Sequence, residues 1–365
     1  MTEKTLSVTS RPRQRVEWAY KVSSLLTLLA LVAAVTGLAS LGSPVLQNVL
    51  VNMLINVILV VGLYTFVGNT GVFSFGHIGF MAIGAYSTGL LRIPEQQKAA
   101  LLVLPRMLER ASFSSTQAVL VGGAVAALVA AFLSLPLMRL GGLTAGLGTF
   151  AVLNIINIVA ANWDHFTGGS TGMAGVPTST TITSALVWSV LAIALAWGFQ
   201  QTRVCLRARA SREDEPAARA LGINVISDRA VAFTLSAFIC GIAGGLYGQL
   251  AGSFGPSAFF LPTTFIVVAM LVVGGRFSLS GAVIGAIFLA TVSEGLRRIE
   301  GGVHVGPLHI PARPGLQEVG LALALLLTLL LRPRGLTGGN EVSLLDAGKL
   351  RLGGLTGRRT RTDAG

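Results

Sequence analysis

Residues 209–224 read RASREDEPAARALGIN. The stretch places Arg212, Glu213, Asp214 and Glu215 side by side, in a chain of which only 12% of the residues are charged and 52% are hydrophobic. Each of these charges would cost about 2.5–3.5 kcal/mol at the centre of a bilayer. The segment therefore lies in water, and it separates two groups of hydrophobic segments.

The same stretch carries the signals of a helix start and a helix end. Ser211 followed three residues later by Asp214 resembles a capping box, and Pro216 suits the first turn of a helix. Gly222 suits the position that terminates one. We therefore expect a short helix at about residues 215–221.

Two interpretations of this short helix compete. In the first, the segment is an ordinary solvated loop, which needs neither caps nor apolar residues. In the second, the caps at both ends and the apolar residues between them favour a helix that docks on a partner protein. In the docking interpretation Ala218 and Leu221 face a groove on the partner, and Arg212 and Arg219 lie at its polar rim.

Outside this stretch the sequence consists mainly of apolar segments long enough to cross a bilayer, which takes about 20 residues. They lie at residues 22–42, 48–67, 74–91, 118–138, 142–161, 184–200, 230–250, 261–275, 279–296 and 315–331. This pattern, with 45 Gly residues, is typical of an all-α polytopic membrane protein with about ten transmembrane helices.

The formal net charge of +12 does not indicate nucleic acid binding, because the basic residues flank apolar segments. Most of the 27 Lys and Arg residues fall in residues 1–21, 201–229 and 332–365. The positive-inside rule then places both termini and the 201–229 loop in the cytoplasm, with residues 22–331 as the transmembrane domain. The 92–117 loop lies outside despite its four basic residues. We expect the Gly-, Thr- and Arg-rich C-terminal tail to be solvated and partly disordered.

Several polar residues lie inside the apolar segments. Asn48, Asn52 and Asn56 recur at four-residue spacing and therefore share one stripe of the second helix, and Asn154 and Asn157 share a face of the fifth. Amides in a span either hold helices together or line a wet pathway, and the sequence fits both roles equally.

His77 stands alone in the Gly-rich stretch 68–86, and the sequence slightly favours a packed imidazole over a pathway residue. Glu294 with arginines three and four residues later indicates an ion pair at the end of a span. Small residues at four-residue spacing indicate close helix packing in the seventh and ninth segments. These are Gly241, Gly244, Gly245, Gly248, Gly252, Gly281 and Gly285.

The charged stretch also resembles a known family. Residues 212–224, REDEPAARALGIN, look like the cytoplasmic coupling loop of permease subunits of branched-chain amino acid ABC importers, the LivM type. Three further stretches agree with that family in order: GNTGVFSFGHIGFMAIGAY (68–86), NWDHFTGGSTGMAGVP (162–177) and VVGGRFSLSGAVIGAIFLATVSEGLR (272–297). The chain departs from the family at Pro216, where an aliphatic residue is more usual.

The resemblance implies a non-catalytic permease that translocates branched-chain or related small amino acids across the cytoplasmic (inner) membrane of a prokaryote. It implies a second, LivH-like permease, two cytoplasmic ABC ATPases and an extracytoplasmic substrate-binding protein as partners. No G-x-x-x-x-G-K-[ST] motif occurs, so we expect no cofactor in this chain and ATP on the partner ATPases. The implied ATPase-coupling residues are Arg212, Glu213, Asp214, Glu215, Ala217, Ala218, Arg219, Leu221 and Gly222.

Three alternatives remain open from the sequence. A permease for urea or short amides of the same superfamily would differ in substrate only. An ATP-independent carrier or channel would be expected to keep ionisable coupling residues inside its spans, where this chain has only His77. An intramembrane enzyme would need clustered acids, histidines or metal ligands at one depth, and the four histidines are scattered.

Overall fold

The computed structural model describes residues 11–40, 42–101, 113–301, 303–305, 308–310 and 315–342. The ends of the two predicted tails (residues 1–10 and 343–365) and residues 102–112 of the 92–117 loop lie outside the described residues.

Ten long helices form the described part of the chain, one for each predicted span, which confirms the expected all-α membrane architecture. They are α1 (Arg11–Ser40), α2 (Pro44–Thr70), α3 (His77–Arg92), α5 (Ser115–Leu137), α6 (Gly142–Asn162), α8 (Ile182–Gln200), α11 (Val225–Ala251), α12 (Leu261–Gly274), α13 (Leu279–Glu300) and α14 (Leu316–Leu331). Eight apolar segments are long enough to cross a membrane by length and composition, and one of them, Pro256–Gly274, includes the 14-residue α12 and the residues just before it. The 16-residue α3 and α14 are shorter than these segments.

Short elements connect the long helices. The short α-helices are α4 (Glu95–Leu101), α7 (Asp164–Thr167), α9 (Arg203–Glu213) and α10 (Glu215–Ala220), and the 3₁₀ helices are η1 (Gly169–Thr171) and η2 (Pro256–Phe259). A small antiparallel hairpin of β1 (Val303–Val305) and β2 (Leu308–Ile310) follows α13, and the apolar pattern did not predict it.

Local sequence accounts for the ends of several helices. The Ser114 hydroxyl accepts a hydrogen bond from the Gln117 amide and caps α5, and Ser278 caps α13 in the same way through Gly281. Gly71 ends α2 with a left-handed φ of 73°. Nine of the long helices start and stop within about five residues of the predicted segments, whereas α1 begins at Arg11 instead of residue 22.

The core is built around α11, which packs against α2, α3 and α5. Gly244 lies against the carbonyl oxygen of Met81, and Gly84 lies against the backbone of Gly241. A Cβ atom at either position would overlap the neighbouring backbone, so these glycines permit the close approach of α3 and α11. The predicted role of the seventh segment's small residues in helix packing is confirmed, except for Gly252, which ends α11 with a left-handed φ of 71°.

The first half of α1 and the residues after α14 both lie beside the end of α8, which leads into α9 and α10. The Trp197 indole donates to the Lys21 carbonyl, in the first half of α1, at 3.1 Å. The Gln200 amide lies 3.5 Å from the Glu341 carboxylate, beyond α14. We call this side of the molecule the coupling face and the opposite side the distal face. The relative sidedness predicted from the charges agrees with this arrangement.

Residues 332–342 fold back onto the turn between α12 and α13. The Leu336 amide donates to the Val273 carbonyl at 2.8 Å, and the Glu341 carboxylate accepts from the amides of Leu279 and Ser280 at 2.8 and 3.0 Å. These residues thus have a defined conformation, although six of the eleven are exposed, as expected for a solvated tail. A carboxylate at a helix N-terminus satisfies otherwise unpaired N–H groups, which the local composition did not reveal.

Candidate functional site: a coupling helix and a distal cavity

The predicted short helix exists as α10. The Asp214 carboxylate accepts a hydrogen bond from the Ala217 amide at 2.9 Å and caps the helix. At the other end the Gly222 amide bonds the Arg219 carbonyl, and the Ile223 amide bonds that of Ala218. With a φ of 79° at Gly222, this is a Schellman ending, as the sequence predicted for that glycine.

The predicted capping role of Ser211 is wrong. Ser211 is a buried residue in the last turn of α9, and its hydroxyl donates to the Ala208 carbonyl at 2.8 Å. Because α9 continues to Glu213, the first free amides belong to the turn after Asp214, and Asp214 becomes the cap instead.

Two ion pairs hold this segment against the start of α11. Glu215 bonds both Arg219 and Arg229 at 2.7 Å, and the Arg229 side chain is only 5% exposed. Arg207 forms a bidentate pair with Asp228, with distances of 2.7 and 2.9 Å. Burial raises the pKa of Glu215, but the hydrogen bonds from Arg219 and Arg229 outweigh it, so its pKa lies below the ordinary value.

Arg212 reaches the end of α2 rather than the polar rim of a docking surface. Its Nη1 donates to the Gly68 carbonyl at 2.7 Å, and its guanidinium lies 4.7 Å from the Phe277 ring centroid. It also pairs with Glu213, whose carboxylate is 73% exposed. The prediction that Arg212 lies at the rim is therefore wrong, because its long stem spans the gap between α9 and α2.

The exposed face of α10 also differs from the prediction. Ala218 is 3% exposed and packs inside the chain, so it is not presented to a partner. The face of α10 opposite Ala218 is exposed to solvent. Ala217, Ala220 and Leu221 are exposed, and Leu221 is 83% exposed. We call these three residues the docking face.

A polar cluster behind α9 was not predicted from the sequence. Arg209 donates from Nε to the Asn69 amide oxygen at 2.8 Å, and the Cys205 thiol lies 3.2 Å from the same atom. The hydroxyl of Tyr64 accepts from Gln200 at 2.8 Å. The segments that meet here are far apart in sequence, so only the charge of Arg209 could have indicated the cluster. This cluster joins α9 to the end of α2.

A cavity of about 520 Å³ opens near the distal end of α2. Its walls come from α2, α3, α11, α12, α13, the start of α14 and η2. The lining residues are Val45, Asn48, Val49, Asn52, Met53, Asn56, Met81, Tyr247, Leu250, Ala251, Ala258, Thr263, Ile266, Val267, Met270, Ala290, Ser293, Glu294, Arg297 and Gln317. The whole predicted asparagine stripe of α2 faces this cavity.

The stripe extends about halfway along α2. Asn48 and Asn56 are separated by about 12 Å at 1.5 Å per residue. Asn48 and Asn52 are exposed and Asn56 is half-buried, and no side-chain hydrogen bond joins these amides to another described residue. Every residue from 57 to 70 is buried. The cavity is therefore open at the distal face and closed towards the coupling face.

Charged and polar side chains line one edge of the cavity near its distal end. Glu294 bonds Arg297 and Arg298 at 2.8 Å each, which confirms the predicted ion pair. The Gln317 amide donates to the Ser293 hydroxyl at 2.8 Å beside it.

His77 lies in the core and not in the cavity. Its Nδ1 is 2.7 Å from the Ser74 hydroxyl, and the ring packs against Phe66, Phe80 and Phe233. The favoured interpretation as a packed imidazole fits this environment.

The two asparagines of α6 also lie away from the cavity. The Asn154 amide donates to the Phe150 carbonyl of its own helix at 3.0 Å, and the Asn157 amide donates to the Pro256 carbonyl of η2 at 2.8 Å. Of the candidate pathway residues, the structure brings only Asn52 and Asn56 to the cavity, together with Asn48.

Comparison with known proteins agrees with this architecture. Residues 45–331 match the family model described as the permease component of branched-chain amino acid transport systems. The high-affinity branched-chain amino acid transport permease LivM of Salmonella typhimurium is 26% identical over 307 residues, covering 75% of this chain and 68% of that protein. LivM of Escherichia coli is 26% identical over 278 residues, covering 67% and 62%.

The match covers nine of the ten long helices and the whole segment from α9 to α10. Proteins of this family are transport components and not catalysts. With its apolar helices and its match to that family, the chain belongs to the branched-chain amino acid permeases, the multi-pass subunits of ABC transporters in the prokaryotic inner membrane.

Proposed function

We propose that the chain is a permease subunit of an ABC importer that moves branched-chain or related small amino acids inward, driven by partner ATPases at the coupling face. One observation supports this most. The cavity with its asparagine stripe lies at one end of α2, and side chains of α9, which leads directly into α10, bind the other end of α2 at Gly68 and Asn69.

This connection gives a route for motion. An ATPase bound to the docking face would move α9 and α10 together with the start of α11, because the ion pairs of Glu215 and Arg207 fix both short helices to α11. Arg212 and Arg209 would pass the displacement to the end of α2. Alternating access follows if the two positions of α2 open the cavity on opposite sides.

The exposed amides of the cavity wall also support the presence of a second permease subunit. Exposed amides such as that of Asn52 would lack hydrogen-bond partners in lipid. A LivH-like partner that covers this side would enclose the asparagine stripe and complete the pathway. The substrate-binding protein would deliver substrate at the distal face. ATP would be held by two cytoplasmic ATPases, and this chain would carry no cofactor.

The decisive experiment uses the complete complex in proteoliposomes, with labelled leucine and the loaded binding protein. Leu221→Glu places a charge on the docking face without touching the core. We expect it to lower uptake and ATPase retention by about tenfold or more. Arg219→Ala, which changes the edge of the same helix, should lower uptake by about threefold or less.

Normal coupling in the Leu221→Glu complex would contradict the docking role of α10. ATP-driven uptake of labelled urea by the wild-type complex, with no uptake of labelled leucine, would contradict the amino acid assignment. Uptake independent of ATP would contradict the importer itself.

A further inference from the structure

We propose that Glu294 and Arg297 recognise the ammonium and carboxylate groups of a zwitterionic amino acid in the distal cavity, an inference that rests on the proposed transport function. Of the described residues that line the cavity, these two are the charged ones. They belong to one turn of α13, so one helix presents both signs of charge to a single ligand.

Both groups keep unused hydrogen-bonding capacity. Glu294 Oε2 accepts from Nε of Arg297 and lies 2.8 Å from its Nη2, and Oε1 accepts from Nε of Arg298. Arg297 therefore retains Nη1, which has no partner among the described residues. Each carboxylate oxygen has a further lone-pair direction. An ammonium group can approach Glu294 while a carboxylate approaches Arg297, without breaking the existing pair.

The rest of the cavity suits the remainder of such a ligand. Met53, Met81 and Met270 line it and are buried, and Ile266 and Val267 lie beside them. Methionine side chains adapt to aliphatic groups of different shape. A ligand with a charged head and a short aliphatic side chain would therefore place its head on α13 and its side chain among the methionines.

The local charge argues against cations. Glu294 with Arg297 and Arg298 carries a formal charge of +1, and Arg297 and Arg298 are 59% and 53% exposed. A basic amino acid would bring an additional positive charge to this site, whereas a zwitterion brings none. The pair would thus favour neutral aliphatic amino acids over basic ones.

Arg298 provides a matched control. It bonds the same carboxylate as Arg297, from the next position in α13, but does not line the cavity. We would compare Arg297→Gln, Glu294→Gln and Arg298→Gln in the reconstituted complex, with labelled leucine and increasing loaded binding protein. The first two should lower the maximal uptake rate by about tenfold or more, and the third by about threefold or less.

Three results would contradict the proposed role of Glu294 and Arg297 in recognition. One is wild-type uptake in the Arg297→Gln complex. Another is an equal loss in the Arg298→Gln complex, which would mean that the pair only stabilises α13. A third is a raised half-maximal concentration of binding protein at an unchanged maximal rate, which would make Arg297 a docking charge. Leucine uptake by the wild-type complex tests the proposed function separately, since its absence would overturn that function and this inference with it.

Discussion

The carboxylate of Glu215 bonds the buried guanidinium of Arg229 at 2.7 Å, and this contact fastens the exposed helix α10 to the first turns of α11. Helix α11 in turn packs against the helices that surround it in the core. A small surface helix with one apolar face open is thereby attached to the most central element of the fold.

Glu215→Gln should loosen α10 without unfolding the transmembrane domain. The Arg229 side chain, 5% exposed, would lose its charged partner, at a cost of about 1–3 kcal/mol. We expect faster hydrogen exchange in residues 214–223 and weaker coupling of ATP hydrolysis to uptake. Glu213→Gln is the control, since its carboxylate is 73% exposed, and equal exchange in both variants would contradict the anchoring role.

The attachment of α10 should depend on pH in a defined direction. The pKa of Glu215 is lower in the folded protein than its ordinary value of 4.5, so the stabilisation is complete above 4.5 and is lost as pH falls through the folded value. A nitroxide at Ala220 should be equally immobile at pH 7 and pH 6 and should become mobile only below pH 4.5. The same label in the Glu215→Gln chain should show no such step, and a step near neutral pH would point to another group.

A tryptophan at position 218 should damage the fold of the coupling segment rather than its docking alone. Ala218 is 3% exposed, and overpacking a buried site costs about 1–3 kcal/mol. Ala218→Trp should therefore lower the thermal stability of the purified chain. Ala220→Trp, on the docking face, should leave that stability unchanged and remove the ATPases. Similar melting temperatures for both variants would show that Ala218 is not packed inside.

Replacing the asparagine stripe should impair transport or assembly. With leucine at positions 48, 52 and 56, the cavity wall loses its amide groups while α2 keeps its buried half. We expect at least about a tenfold loss of uptake or of complex yield. Asn154→Leu is the control, because that amide bonds only its own helix, and normal uptake and yield in the triple variant would exclude both roles.

The two faces should differ in their access to membrane-impermeant thiol reagents. Both native cysteines are buried, so an introduced cysteine reports its own position. Glu213→Cys at the coupling face should be protected in intact cells and labelled after permeabilisation. Ser43→Cys, exposed at the distal end of α2, should be labelled in intact cells. The reverse pattern would place the 201–229 loop outside.

The sequence alone determined the ten helices and the short helix α10. Spans in lipid satisfy their backbone hydrogen bonds within each segment, so an apolar stretch of sufficient length specifies its own structure. The ending of α10 at Gly222 is equally local, because it depends on backbone bonds to residues three to five positions earlier. The ion pair of Glu294 was also predictable, since its partners lie one helical turn away.

Tertiary structure decided what the sequence left open. Arg212 bonds a carbonyl 144 residues away and Glu215 bonds an arginine 14 residues away, and these contacts turn Ala218 inward and leave Leu221 in solvent. The start of α10 differs from the prediction for the same kind of reason. Because α9 extends to Glu213, the residue that caps α10 is Asp214 and not Ser211. The cavity depends on six helices meeting. Which polar residues share a cavity is fixed by packing between helices, whereas local sequence fixes only which residues share one helix face.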